Sequence, residues 1–319
     1  MKITFGILLG ISFITLVGLL LGFYFAYKTT NQKLVLGALA AIILIALVGF
    51  GLSLKTTYTA HKQMYTITQL RHQLIGKQHM IDAINKKLPR QLLFIHHSVG
   101  SGWLDQGGLG EQLIAHGIGV HDATYGDAIG NDTDMKHWVP KFENHMTDII
   151  RFNHHPNVFY DDDRENDIIM FKSCFPNSNI TGQGESPGNP TDPTLTTANF
   201  KATFAGLMEE FAKQQDKTFI YITAPPLVPS ATSVENARRA RECNDWVKSE
   251  FLKEYRSKTD LDNFLVFDFF DVLADENNYL KKEYRISDTD SHPSSDGTRV
   301  ATGLFIGFLK THGILTDEE

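Results

Sequence analysis

Two apolar runs open the chain. Residues Ile3 to Tyr27 and Leu34 to Leu54 contain no charged side chain. Each is long enough to cross a hydrocarbon core of roughly 30 Å at about 1.5 Å per helical residue. The polar connector Lys28-Thr29-Thr30-Asn31-Gln32-Lys33 between them predicts a transmembrane helical hairpin over residues 1–55, touching the lipid bilayer through residues 3–27 and 34–54. A cleaved signal peptide fits less well, because the first run is long for such a segment and no small-x-small site follows it. The basic residues Lys2, Lys55, Lys62 and Arg71 outweigh Lys28 and Lys33 in the connector. That count leans toward both ends of the hairpin in the cytoplasm, and the side of the remaining chain stays open.

From Thr56 the pattern changes. Apolar residues Met64, Ile67, Leu70, Leu74, Met80, Ile81, Ile84 and Leu88 recur mostly at spacings of three and four up to Pro89. This spacing predicts a helical stalk over residues 56–90, which could also join two copies of the chain into a homo-oligomer. Beyond Pro89, short apolar runs alternate with amphipathic stretches. Strands are predicted at Leu92–Ile95, Ile118–Ala123, Asp167–Phe171, Thr218–Thr223 and Phe264–Phe267. Helices are predicted at Ala198–Lys213, Val234–Lys253 and Arg299–His312. Such alternation implies a parallel five-stranded sheet covered on both faces, an α/β domain over residues 91–319. The stretch Ser173–Pro193, rich in Asn, Gly, Ser and Pro, reads as a surface excursion after the third strand.

Composition alters little of this. A net charge of −7 gives no electrostatic case for nucleic-acid binding. The two cysteines, Cys174 and Cys243, lack C-x-x-C spacing and supply neither a disulfide framework nor a thiolate metal site.

Ligands of an open parallel sheet sit beyond the carboxyl ends of its strands. The residues that follow each predicted strand therefore form one set. Strand one leads into His96-His97-Ser98-Val99-Gly100-Ser101-Gly102, and strand two into Tyr125-Gly126-Asp127. Strand three leads into Lys172-Ser173-Cys174-Phe175-Pro176-Asn177-Ser178-Asn179, and strand four into Ala224-Pro225-Pro226-Leu227. Asp288-Thr289-Asp290-Ser291-His292-Pro293 precedes the last helix. A serine, a glycine amide, a carboxamide and an acid–histidine pair on one edge are the parts acyl transfer uses.

This order of blocks resembles the SGNH (GDSL-type) hydrolase superfamily over Gln91 to the C-terminus. The resemblance implies a flavodoxin-like three-layer α/β/α sandwich, here preceded by two transmembrane helices. It implies Ser98 as nucleophile, His292 as base and Asp290 (or Asp288) as the acid orienting it. The oxyanion hole it implies is built from Ser98, Gly126 and Asn177 (or Asn179), with no cofactor and no metal. Three blocks depart from the family pattern. His97-Ser98-Val99-Gly100 stands where Gly-Asp-Ser-Leu is usual. Asn177 and Asn179 compete for the place of a single asparagine. Thr289 occupies the usual acid position, three residues before the histidine.

The expected activity is membrane-anchored cleavage of a lipid, O-acyl glycan or small acyl ester. An O-acyltransferase on the same constellation, a non-catalytic ligand-binding or scaffold domain, and a metal-dependent hydrolase are the alternatives. The last would need the histidine pairs His96-His97 and His154-His155, or His121. Adjacent residues of a strand point to opposite faces, which weighs against a shared ion; one of His96 and His97 is instead expected to position Ser98. Asp161-Asp162-Asp163 reads as a solvated acidic loop, Cys174 as a buried thiol beside the site, and Trp103 and Trp138 as core or pocket wall.

Overall fold

A computed structural model describes residues 87–315. The hairpin over residues 1–55 and most of the stalk over residues 56–90 lie outside the described residues. Among the described residues no helix is long and apolar enough to cross a membrane.

Five parallel strands form the sheet: β1 (Arg90–Ile95), β2 (Ile118–Ala123), β5 (Ile168–Lys172), β6 (Thr218–Ile222) and β7 (Phe264–Phe267). Their spatial order is β2-β1-β5-β6-β7. Leaving aside the small antiparallel hairpin of β3 (Phe152–His154) and β4 (Val158–Phe159), this is the flavodoxin-like doubly wound order. β1, β5, β6 and β7 are buried on both faces, which explains why they read as continuous apolar runs. The edge strand β2 is half-exposed at Val120 and Asp122. Leu93, Ile95, Ile169, Phe171, Phe219, Tyr221, Phe264 and Val266 face one layer. Leu92, Phe94, Ile168, Met170, Ile220, Ile222, Leu265 and Phe267 face the other.

The first layer contains α3 (Met135–Arg151), α4 (Thr197–Ala212), α5 (Val234–Trp246) and α6 (Leu252–Thr259). Side chains on its inner faces include Trp138, Phe142, Phe204, Phe211 and Phe251. The second contains α1 (Ser98–Leu104), α2 (Leu109–Ala115), α7 (Phe269–Leu273) and α8 (Ser295–Thr311), contributing Trp103, Leu113, Phe269 and Phe305. Trp103 and Trp138 are both fully buried core residues.

Helix starts follow local chemistry. Thr196, Ser233 and Ser294 each accept a backbone N–H of the first turn, and so begin α4, α5 and α8. The Ser294 cap starts the last helix four residues before the apolar pattern does. The helix expected over Val234–Lys253 runs further, through a π-helical turn at Val247–Phe251 into α6. The glycine-rich α1, the short α2, and α3 with its internal Pro140 carry no clean periodicity and were not expected. After β5, a 3₁₀ turn at Phe175–Ser178 leads into largely irregular chain, pinned to the start of α4 by a bridge between Gly182 and Thr196.

Candidate active site

The chain reverses from β1 into α1 through only two residues, His96 and His97. His97 is the N-cap, in an extended conformation (φ −123°, ψ −158°), and its carbonyl accepts the N–H groups of Gly100 at 2.8 Å and Ser101 at 3.2 Å. Ser98 is therefore the first helical residue, at the carboxyl edge of the sheet. The N–H groups of Ser98 and Val99 precede the first hydrogen-bonded turn and have no intrahelical acceptor. β1 lies between β2 and β5, where the strand order reverses and doubly wound sheets bind ligands.

His292 Nε2 lies 2.8 Å from Ser98 Oγ, and His292 Nδ1 lies 2.6 Å from Asp290 Oδ1. The same carboxylate oxygen accepts the His292 backbone N–H at 2.9 Å. A carboxylate can only accept, so Nδ1 carries the proton toward Asp290 and Nε2 is left to accept from the Ser98 hydroxyl. These hydrogen bonds from the His292 backbone and ring hold the Asp290 carboxyl below the usual carboxylate range. The Asp288 carboxylate is turned away, exposed and 3.4 Å from Arg285 Nη1.

Polar side chains fix the loop that carries His292. Ser291 Oγ accepts the Val228 N–H at 3.1 Å, tying the loop to the segment after β6. Ser230 Oγ donates to the Asp288 carbonyl at 2.8 Å. Ser287 Oγ accepts the Asp290 N–H at 3.1 Å. Phe175, just beyond β5, stands edge-on to the His292 ring with centroids 4.8 Å apart. On the other side of Ser98, the His97 ring stacks on the exposed Tyr125 ring at 3.9 Å, while its Nε2 lies 2.9 Å from the Gly130 carbonyl. Burial pushes the His97 imidazole below the ordinary histidine range. Cys174 is buried, with Sγ 3.8 Å from Ser98 Oγ.

The expected oxyanion donors are arranged differently from Ser98 and His292. Gly126, held at φ +96°, donates its N–H to Asn131 Oδ1 at 3.1 Å. Asn177 is buried and engaged at both ends of its carboxamide. Its Oδ1 accepts the Met135 N–H at 2.9 Å, and its Nδ2 donates to Asp134 Oδ1 at 2.8 Å and to the Cys174 carbonyl at 3.3 Å. It thereby joins the chain after β5 to the start of α3. Asn179 Oδ1 accepts from Thr232 Oγ1 at 2.7 Å and Asn236 Nδ2 at 2.9 Å. Of the expected donors, the Ser98 N–H alone sits at the hydroxyl without a helix-internal partner.

The remaining histidines are dispersed. His121 is buried between the Gln91 and Tyr160 side chains, and His155 pairs with the buried Asp127 at 3.1 Å. No cluster of three metal-ligating side chains occurs among the described residues. Asp162 pairs with Arg164 in an exposed loop. What sequence reasoning missed around Ser98 is contact rather than composition: the Phe175 wall, the Tyr125–His97 stack and the burial of His96 against Asp122.

No protein-family model and no curated protein matches the sequence. Solved structures show distant similarity. A GDSL-like lipase of Bacteroides thetaiotaomicron is 12% identical, covering 70% of this chain and 89% of its own, with a TM-score of 0.44. A lipase/acylhydrolase of Enterococcus faecalis is 15% identical over 72% of this chain and 99% of its own, at 0.38. A family two carbohydrate esterase of Clostridium thermocellum is 10% identical over 72% and 65%, at 0.41.

Proposed function

We propose that the chain is an SGNH-type serine hydrolase that cleaves an ester through an acyl-enzyme on Ser98. The observation that carries this reading is the unbroken relay from Ser98 Oγ to His292 at 2.8 Å and from His292 to Asp290 at 2.6 Å, at the switch point of a doubly wound sheet. Ser98 Oγ attacks the ester carbonyl while His292 Nε2 takes its proton. Asp290 keeps the proton on Nδ1 and stabilises the imidazolium. The first-turn N–H of Ser98 faces the developing oxyanion, and a site next to a helix start favours that negative charge. His292 then returns its proton to the leaving alkoxide. Water attacks the acyl-enzyme with His292 as base, releasing the acid and restoring Ser98.

Gly126 and Asn177 enter the oxyanion hole only if substrate draws the Gly126 N–H from Asn131 or an Asn177 N–H from its internal acceptors. Anchoring belongs to the same proposal. The uncharged runs at residues 3–27 and 34–54 hold the chain in a bilayer, and the esters of that membrane or its envelope are the substrates within reach.

Labelling of the full chain by a fluorophosphonate probe tests the chemistry. A single adduct on Ser98, lost in Ser98→Ala and in His292→Ala, is expected. Absence of an adduct on folded protein, or one that survives Ser98→Ala, overturns the enzyme reading. Retention in the membrane fraction after alkaline carbonate washing tests the anchor.

A further inference from the structure

His96 has no part in the relay, yet it is fully buried at the turn that presents Ser98. Its ring lies against Phe94, with centroids 4.3 Å apart. Gly100 of α1 sits directly on it, so closely that a Cβ there would fall 2.2 Å from the ring. Both ring nitrogens face groups that only accept. Nδ1 lies 2.8 Å from the His97 carbonyl, and Nε2 lies 2.8 Å from Asp122 Oδ1 on β2.

A neutral imidazole has one N–H and one lone pair, and either tautomer would aim that lone pair at an oxygen. The approach to Asp122 falls outside hydrogen-bond geometry, so the only attraction this contact can supply is that of an opposite charge. A buried carboxylate oxygen held this close calls for an opposite charge. The His97 carbonyl is the acceptor that starts α1, serving Gly100 and Ser101. The ring thus holds the peptide from which the nucleophile projects.

We propose that His96 is a positioning residue held as a buried imidazolium, balanced by Asp122, that locks the turn carrying Ser98. Its charged and titratable neighbours come from each surrounding element. Asp122 lies on β2, and Asp105 at the end of α1 is close enough to feel both Asp122 and His96. His97 follows it in the chain, and Lys172 is the residue after Phe171, the partner of Ile95 across β1 and β5. The two carboxylates favour the cation, and Lys172, when charged, opposes it. Loss of the His96 proton turns a lone pair toward Asp122 or the His97 carbonyl. With Gly100 against the ring there is no room to rotate away, so the turn loosens and Ser98 leaves the line to His292.

The role in positioning rests on Ser98 being the nucleophile; the charge on His96 does not, and the two are tested separately. Long-range ¹H–¹⁵N spectra of histidine-labelled full chain at neutral pH read the charge. The ring signal missing from His96→Gln, or displaced in Asp122→Asn should that variant fail to fold, is expected to show both nitrogens protonated. A neutral ring overturns the proposal. The rate of fluorophosphonate labelling at neutral pH reads the positioning. In Asp122→Asn it is expected to fall roughly tenfold, with Asp122→Glu restoring it. An unchanged rate overturns the positioning role even if the ring is charged.

Discussion

One oxygen of Asp290 holds His292 twice, accepting the ring Nδ1–H at 2.6 Å and the backbone N–H of the same residue at 2.9 Å. The acid sits two residues before its histidine, so one short loop sets both the tautomer and the backbone that carries the ring. Asp290→Asn sets a neutral carboxamide there: with its NH2 turned to Nδ1 it forces the wrong tautomer, and with its oxygen turned there it leaves the imidazolium without a countercharge. Loss of the correct tautomer at an acid–histidine–serine relay costs on the order of 10³–10⁴ in kcat. We expect Asp290→Asn to lose kcat on p-nitrophenyl acetate by about that factor with KM little changed. Asp288→Asn, altering an exposed carboxylate near Arg285, is expected to stay within about twofold, because lone surface pairs contribute little. Equal losses in the two variants would remove Asp290 from its place.

Two glycines of α1 should respond in opposite ways. A methyl at Gly100 meets His96 Cγ at 2.2 Å and Nδ1 at 2.4 Å, whereas nothing lies within 4 Å of one at Gly102. Overpacking of a buried contact costs about 1–3 kcal/mol, and here the relief available is to push α1 off the sheet. Gly100→Ala is expected to lower the urea midpoint and to slow Ser98 labelling at least tenfold. Gly102→Ala removes backbone freedom at a compatible helical site and should gain about 0.5–1 kcal/mol. Denaturant curves and labelling rates on the two variants decide this together.

Most of the sheet was legible because β1, β5, β6 and β7 are buried on both faces. Ile118–Ala123 and Phe264–Phe267 have the expected ends, and the other three differ by one or two residues. The helices around Ser98 were not legible, since Ser98–Leu104 holds two glycines and its apolar face is short. Ser98 and His292 could be proposed from their positions beyond predicted elements. The choice between Asp290 and Asp288 could not, because both flank the usual acid position and only the fold of residues 285–294 turns one inward. The oxyanion residues were least legible. A carboxamide reads the same in sequence whether it faces substrate or, like Asn177, closes a gap between β5 and α3.

Asn177 gives a third prediction. Its buried side chain satisfies the buried Met135 N–H at the start of α3 and donates to the exposed Asp134. A donor stranded by removal of its partner costs about 1–3 kcal/mol. Asn177→Ala should therefore lose stability by that order as well as activity. Asn177→Asp keeps the acceptor for Met135 but sets a carboxylate against Asp134, so it should be worse near neutral pH than in acid. A variant with unchanged urea midpoint and reduced kcat alone would return Asn177 to a purely catalytic role.

Lys141 supplies the pH prediction. Its ammonium is buried and donates to the Ile129 carbonyl at 2.6 Å and the Asn131 carbonyl at 2.7 Å, holding the loop whose Asn131 side chain accepts from Gly126. Burial lowers its pKa to about 8 from an ordinary 10.5. Between those values the unfolded chain binds the extra proton and the folded chain does not, so stability rises with pH across that window. Below about pH 8 both states are protonated and the full penalty of burying the charge remains. A displacement of this size corresponds to at most about 3 kcal/mol. The buried Cys243 thiol, pushed up to about 12 by burial, opposes the rise once the unfolded thiol ionises near pH 9. The buried Tyr160 and Tyr221, also pushed upward by burial, add to that opposition once unfolded tyrosine begins to ionise near pH 10. The expected result is a urea midpoint that climbs from pH 8 to about pH 9 in the wild type. In Lys141→Met that climb should shrink, what is left coming from the fully buried Lys172, whose pKa burial also lowers; an unchanged slope would assign the climb to other groups.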